Sequence, residues 1–265
     1  MSTFLDELLD GAHRRVEAAR ARTPDEELVQ AARSAALPPS FADALAADGV
    51  GVIAEIKRAS PSKGALAPDL DAAEQAARYG AGGAAAISVL TEPDRFEGSL
   101  DDLLAASGSG LPTLRKDFVV DAYQIWEARR AGAAAVLLIV AALDDDDLRD
   151  LLAATDEAGL DALVEVHDRG ELERAQAVGA TIIGVNARDL RTFEVHRNAF
   201  ALLRPHFPAG AIAVAESGIR GPADVAVAGA QGADAVLVGE ALVTSDDPQQ
   251  LLERLVAAGR QELAR

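Results

Sequence analysis

The chain of 265 residues contains no cysteine. That removes disulfides, thiolate metal sites and cysteine nucleophiles together, and it fits a reducing compartment. Basic residues are also scarce. Twenty-five Lys and Arg stand against 43 Asp and Glu, a formal net charge of −18. Nucleic acid and anionic membranes are bound by clustered Lys and Arg, so neither is an expected partner. The deficit leaves a small anionic substrate open, because one pocket can be positive on a negative protein. Long apolar runs are missing as well: no stretch approaches the roughly 20 residues that cross a bilayer. The opening Met1-Ser2-Thr3-Phe4-Leu5-Asp6-Glu7 carries acids where a secretory signal carries bases. The expectation is a cytoplasmic protein, with a monomer sufficient.

What is present is ordinary globular material, 49% hydrophobic and 26% charged, with enough for a large core. The length is near two average domains, but α/β barrels reach about 250 residues as one. The first 48 residues differ from the rest. Leu5, Leu8, Leu9, Ala12 and Val16 recur at helical spacing. Pro24 suits the first position of a second helix, and a third is expected around Phe41–Ala47, ending near Gly49. Residues 1–48 are therefore expected as a helical extension over one end of a single unit spanning 49–265.

From Gly51 onward, eight short apolar runs alternate with helical patterns. They cover residues 52–57, 85–90, 113–116, 135–140, 162–166, 181–186, 212–216 and 235–239. Rich in Val and Ile and nearly continuous in apolarity, they read as parallel strands buried on both faces. Asp121, Asp168 and Ser245 are expected N-caps, with Glu171 completing a capping box on Asp168. Pro222 suits a first helical position. Gly80, Gly132, Gly159, Gly179 and Gly229 are expected to end helices. Four Gly-Ala pairs, beginning at Gly83, Gly132, Gly179 and Gly232, lead into strands. The expected fold is α/β, a (β/α)8 barrel with an N-terminal helical extension. An open doubly wound sheet is the alternative, but residues 58–64 after the first strand lack its glycine fingerprint.

Barrel chemistry sits at the C-terminal ends of the strands. Glu55 and Lys57 share one parity on the first strand, opposite Val52, Ala54 and Ile56, so they face the interior. Lys116 ends the third run, Glu165 the fifth, Asn186 the sixth and Glu216 the seventh, with Ser217 following. Two lysines and three glutamates thus converge on one mouth, where opposite charges lower the cost of burial and tune one another's protonation. Ser217-Gly218 and Gly239 fall at the corner where barrels bind phosphate through backbone amides. The four histidines, His13, His167, His196 and His206, show no metal spacing; His167, following the fifth run, is close enough in sequence to approach the mouth, but a surface loop position is the expected one. The acidic run Asp144–Asp147 suits a solvated helix start.

These strand ends resemble the indole-3-glycerol phosphate synthase family. The resemblance rests on Ala54–Gly64, Ser88–Glu92, Leu114–Phe118, Leu137–Val140, Glu165–His167, Gly184–Leu190, Val214–Ile219 and Leu237–Glu240, taken in order. It implies a lyase of tryptophan biosynthesis. The implied reaction closes the indole ring of 1-(2-carboxyphenylamino)-1-deoxyribulose 5-phosphate, losing CO2 and water without a metal or organic cofactor. It implies catalytic roles for Glu55, Lys57, Lys116, Glu165, Asn186 and Glu216. Substrate contacts are implied for Ser60, Phe118, Leu137, Arg188 and Ser217, with Phe118 and Leu137 forming an apolar wall. Phosphate is expected on Ser217, Gly218, Gly239 and Glu240, with Lys57 and Arg188 assisting. Glu240 stands where some members carry Ser, and Ala141 where some carry Lys. Two alternatives remain at this point. A sister barrel, phosphoribosylanthranilate isomerase, relies on a cysteine that this chain lacks. A non-catalytic ligand-binding barrel predicts degraded strand ends, which are intact here.

Overall fold

A computed structural model describes residues 3–189 and 192–261. Met1, Ser2 and Leu190, quoted above, lie outside the described residues. Eight parallel strands form a closed barrel: β1 (Gly51–Ile56), β2 (Ala86–Leu90), β3 (Thr113–Lys116), β4 (Ala135–Ile139), β5 (Asp161–Val166), β6 (Ile182–Asn186), β7 (Ile212–Glu216) and β8 (Ala235–Val238). Each pairs with the next. Closure comes from β1 against β8, with Gly51 opposite Ala235 and Ala54 opposite Val238. The open-sheet alternative is thereby excluded.

The period-two alternation of a strand divides the apolar residues into two cores. Ile53, Leu114, Leu137, Leu163, Val214 and Leu237 fill the interior. Val52, Ala54, Ile56, Val136, Leu138, Val164 and Val236 point outward and pack beneath the surrounding helices. Both faces of every strand are buried, which is why the runs read as nearly unbroken.

The connections are built from local signals. Asp121 accepts a hydrogen bond from Tyr123 N at 2.8 Å and Asp168 from Glu171 N at 2.9 Å. Asp144 caps the helix that begins at Asp145, taking the N–H groups of Asp146 and Asp147. Three expectations shift. The last helix, Pro248–Gln261, is capped by Asp247, which accepts from Gln250 N at 3.0 Å, and not by Ser245. Pro248 at the first helical position makes the residue before it the cap. Pro24 likewise precedes its helix rather than opening it. Gly80 and Gly229 lie inside helices, and the left-handed residues are Gly83 (φ 84°) and Gly232 (φ 88°), joining Gly132 and Gly179. The cause is a shared closure. In all four Gly-Ala pairs the alanine N–H bonds back five residues, to the carbonyls of Tyr79, Ala128, Ala175 and Ala228. That six-to-one bond fixes the glycine between as the left-handed residue.

The extension comprises α1 (Phe4–Arg22), α2 (Asp25–Ser34) and α3 (Phe41–Leu45). It does not sit over one end, as expected, but runs from mouth to base. A helix of 19 residues reaches roughly 28 Å at 1.5 Å per residue. At one extreme the Phe4 ring meets Phe193 edge-on, centroids 5.1 Å apart, beside the strand C-termini. At the other, Phe41 and Leu45 are buried against the lower interior core. Asp161, at the start of β5, accepts the N–H groups of Phe41 and Ala42 at 3.1 and 3.0 Å. No helix among the described residues is long and apolar enough to cross a membrane.

Candidate active site

The charged strand ends meet above the interior core, at the floor of a cavity of about 680 Å³ lined by Glu55, Lys57, Lys116, Asn186, Arg188 and Glu216 among others. Lys57 Nζ lies 2.8 Å from Glu55 Oε1, and Lys116 Nζ lies 4.0 Å from the other oxygen of the same carboxylate. Glu55 is 4% exposed, Glu165 1% and Glu216 2%. Glycine makes room for two of these carboxylates. A Cβ built on Gly239 would overlap Glu55 Oε1 and press on Lys57 Nζ, and one on Gly184 would overlap Glu216 Oε1. Gly239 was expected only as an approach for phosphate; it also leaves the volume in which the Glu55–Lys57 pair sits.

Burial and charge then set protonation. For Glu55, burial opposes ionisation, but Lys57 and Lys116 outweigh it and hold the carboxyl below its ordinary value. For Lys116, burial opposes the ammonium form, but the charges of Glu55 and Glu165 outweigh it and raise the amine further. Glu216 goes the other way. Burial, reinforced by the neighbouring Glu165 charge, pushes it well above the carboxylate range, so it holds its proton. The floor is therefore a protonated amine, at least one ionised carboxylate and one neutral carboxyl, poised for proton traffic in both directions.

The anion corner stands beside it. Ser217 and Gly218 both take positive φ, 64° and 83°, a conformation that turns successive N–H groups to one side. Asn186 Oδ1 accepts from Ser217 Oγ at 2.8 Å and from Arg188 N at 3.0 Å. Gly239 precedes a one-turn helix, Glu240–Val243, whose first N–H groups have no intrahelical acceptor. The Glu240 side chain points to Lys63, 3.7 Å away, so only its backbone serves the corner. Ser60 lines the cavity from a short antiparallel pair, Ala59–Ser60 with Gly64–Ala65.

Two expected residues lie deeper. Phe118 reaches the cavity wall, but Leu137 does not; it is 2% exposed within the interior core. On β4 it stands opposite Leu163, whereas Ile139 stands opposite Glu165. Leu137 is thus a layer below the charged floor and supports the wall without forming it. Glu165 belongs to the floor through its charge but does not line the open cavity.

The family profile for indole-3-glycerol phosphate synthase matches residues 5–255. The chain belongs to this family. Named indole-3-glycerol phosphate synthases from Mycolicibacterium vanbaalenii and Rhodococcus jostii are 52% and 55% identical to it, each over 97% of this chain and 95% and 96% of their own lengths. The relative named indole-3-glycerol phosphate synthase 1 in Streptomyces coelicolor is 52% identical, over 97% of this chain and 96% of its own. Among solved structures, the fold is shared with thiamine phosphate pyrophosphorylase from Pyrococcus furiosus (TM-score 0.59, 15% identity, 81% of this chain and 96% of that one). A 3-hexulose-6-phosphate synthase shares it too (TM-score 0.60, 17% identity, 79% and 99%). At those identities the likeness is of barrel architecture alone.

As a member of this family, the chain carries one feature that the sequence reading missed. His167, expected on the surface, has a side chain only 16% exposed. Its Nε2 lies 3.5 Å from Glu165 Oε1, and its Nδ1 lies 2.9 Å from Glu171 Oε2. The capping box expected at Asp168 is half made, because the Glu171 carboxylate accepts instead from His167 N at 2.7 Å. The signal was in the sequence: a histidine two residues after an inward glutamate shares its parity.

Proposed function

We propose that this mouth closes the indole ring of 1-(2-carboxyphenylamino)-1-deoxyribulose 5-phosphate, with loss of CO2 and water. The observation that carries the reading is Lys116, an amine at the cavity floor whose Nζ stands 4.0 Å from the Glu55 carboxylate, among negative charge that keeps it protonated. Ring closure needs an aromatic carbon to attack a ketone, and a positioned proton donor lowers that barrier. Lys116 gives its proton to the carbonyl oxygen as the new bond forms. Loss of CO2 restores the aromatic ring, the C–C bonding pair passing back to the anilino nitrogen. Glu165 works beside that nitrogen and the departing hydroxyl. The Glu55–Lys57 pair supplies acid and base for dehydration. Asn186 and neutral Glu216 hold the chain hydroxyls.

The phosphate rests on the backbone at Ser217, Gly218, Gly239 and Glu240, with Lys57 and Arg188 supplying charge. The two successive positive-φ residues and the open helix start support this. Ser60 and Phe118 contact the anthranilate half, and Leu137 backs Phe118 from below. Residues 1–48 serve as a brace joining mouth to base. The same reading takes the protein as a cytoplasmic catalyst acting as a monomer, with no nucleic-acid or membrane partner; the charge of −18 disfavours polyanions.

The test is direct. Purified protein given the ribulose phosphate substrate, with no metal supplied, should develop the fluorescence of an indole product. Absence of product from folded protein would overturn the reading.

A further inference from the structure

Ring closure, loss of CO2 and loss of water together take up one proton. The carbonyl oxygen gains one at closure, the departing hydroxyl gains one as it leaves, and the carbon beside the nitrogen releases one. The Glu55–Lys57 pair covers the last two between its own members, the base taking up what the acid gives. The proton that remains is the one Lys116 gives at ring closure. Until Lys116 is reprotonated, its neutral amine is a base beside the new hydroxyl. It can take the proton back and reopen the ring before CO2 departs.

Two carboxyl groups near Lys116 are arranged to hold one proton between them. Glu216 ends β7 and Glu165 lies on β5, with Gly184 of β6 between. Gly184 stands opposite Glu165 on one side and, on the other, opposite Val214, two residues before Glu216. The Glu216 side chain lies over Gly184, because a Cβ there would fall on its Oε1. The glycine thus opens a passage across β6 through which one carboxyl reaches the other. Both groups are almost completely buried, and no donor from any other described residue hydrogen-bonds to either. The hydrogen bond open to them is the one they make with each other when one holds a proton. Two buried carboxyls side by side do not both stay ionised. The proton settles on Glu216, because His167 Nε2 stands 3.5 Å from Glu165 Oε1 and favours the anion there. Glu171 and Asp189 flank that ring and lift it above its ordinary value. Glu55 of β1 and Lys116 of β3 face the pair from the other strands, and Lys116 shares the mouth cavity with Glu216.

We propose that the Glu165–Glu216 pair is a proton reserve for Lys116, passing its shared proton to the Lys116 amine once the ring has closed and so committing the intermediate to decarboxylation. The inference rests on the reading of Lys116 as the general acid, and in this role the pair acts through Lys116. The Lys116 ammonium loses a proton to the carbonyl oxygen as the carbon–carbon bond forms. The Glu216 O–H bond then breaks and its proton goes to the lone pair on Lys116 Nζ, following the ordinary order of basicity, amine above carboxylate. The pair is left as two carboxylates beside the Lys116 and His167 cations. When product leaves, water in the open mouth returns a proton to Glu216, which lines it. One proton enters in each cycle, as the reaction requires.

The experiment compares wild type with Glu216→Gln, which keeps the shape and hydrogen bonding but has no proton to pass. In infrared spectra near neutral pH, wild type should show the carbonyl stretch of a protonated carboxylic acid that Glu216→Gln lacks. In steady state, kcat of Glu216→Gln should fall about 10-fold or more, the low side of general acid–base effects, with KM changed less than about twofold. The carbon isotope effect at the substrate carboxylate, measured on kcat/KM, should rise, because closure now reverses before CO2 is lost. A residue that only held substrate hydroxyls would raise KM and leave that isotope effect where it was. Gly184→Ala, which pushes Glu216 away from Glu165, should move kcat and the isotope effect in the same direction. Circular dichroism checks both folds, and Glu216→Gln remains the test where Gly184→Ala does not fold. Full activity in Glu216→Gln, an unchanged isotope effect, or absence of the infrared band from wild type would overturn the proposal. If wild type itself forms no indole product, the reading of the site fails instead, while the infrared band still reports on the pair, so the two failures are distinguishable.

Discussion

Arg115 and Lys116 are neighbours on β3, and alternation sends them to opposite faces. Both bring a cation into the protein, yet the surroundings differ in kind. Arg115, 4% exposed, has a partner at every guanidinium nitrogen. Its guanidinium donates to Gln124 O at 2.6 Å, Glu127 Oε2 at 3.1 Å, Asp117 Oδ2 at 3.1 Å and Thr91 Oγ1 at 3.3 Å. Asp117 is completed by Thr91 Oγ1 and Phe118 N. Lys116 has opposite charges around it but its nearest carboxylate oxygen is 4.0 Å away. A buried ion whose hydrogen bonds are all made holds a structure together. One that has charge compensation but unfilled hydrogen-bond positions is waiting for a ligand. Completeness of hydrogen bonding, more than burial or charge, separates the brace from the site.

The largest expected effect sits on the open side of that pair. Lys116→Ala should lower kcat by about 10² to 10⁴-fold, the range of a positioned general acid, while circular dichroism and urea midpoint stay near wild type. Retention of more than about a tenth of wild-type kcat would remove Lys116 from the role. On the partnered side, Arg115→Leu should strand Asp117 and Glu127 and cost about 3–5 kcal/mol of stability, read from urea unfolding. If Arg115→Leu were as stable as wild type, the contrast between the two faces would collapse. Lys57→Ala should lower kcat and raise KM together, since its ammonium serves both phosphate and the reacting atoms; a change in kcat alone would confine it to the chemistry.

A smaller effect is expected at Gly184. Its alanine variant must push Glu216 aside, at about 1–3 kcal/mol for an overpacked interior, and kcat should fall with only modest change in unfolding midpoint. The smallest is a pH effect. Because folding raises the Glu216 carboxyl above its ordinary value, its protonated form stabilises the fold at low pH. That contribution is lost as pH climbs through the raised value. Glu216→Gln keeps the neutral form throughout, so its Tm should exceed wild type by a margin that widens from about pH 5 to about pH 8, in the region where carboxylates ordinarily ionise or have done so. A margin that narrows with pH would reverse the assignment.

Much of this was legible in the sequence. Strands buried on both faces leave continuous Val and Ile runs, so eight were countable, and one parity argument put Glu55 and Lys57 inside. What escaped depends on depth and on through-space neighbours. Leu137 and Ile139 share a face, and only the stagger of β4 against β5 decides which is level with Glu165. Gly184 and Gly239 look like ordinary strand glycines until the carboxylates from β7 and β1 are brought against them. His167 follows the fifth strand, where sequence leaves both the mouth and a surface loop open, and the diversion of Glu171 from its cap, which fixes the ring, is a tertiary choice.

The brace from mouth to base also fixes an order of events during synthesis. Phe4 is made before its ring partner Phe193, and Phe41 before Asp161, whose carboxylate accepts from its amide N–H. At about 5–20 residues per second, the roughly 190 residues between Phe4 and Phe193 take on the order of 10–40 s to appear. Over that interval the partners of α1 and α3 arrive piecemeal, residues of the interior cluster such as Phe118 first, then Asp161 for Phe41, and Phe193 for Phe4 last. The helical extension completes its docking only after most of the barrel has been made, and until then its Leu and Phe side chains are the natural point of attention for a chaperone.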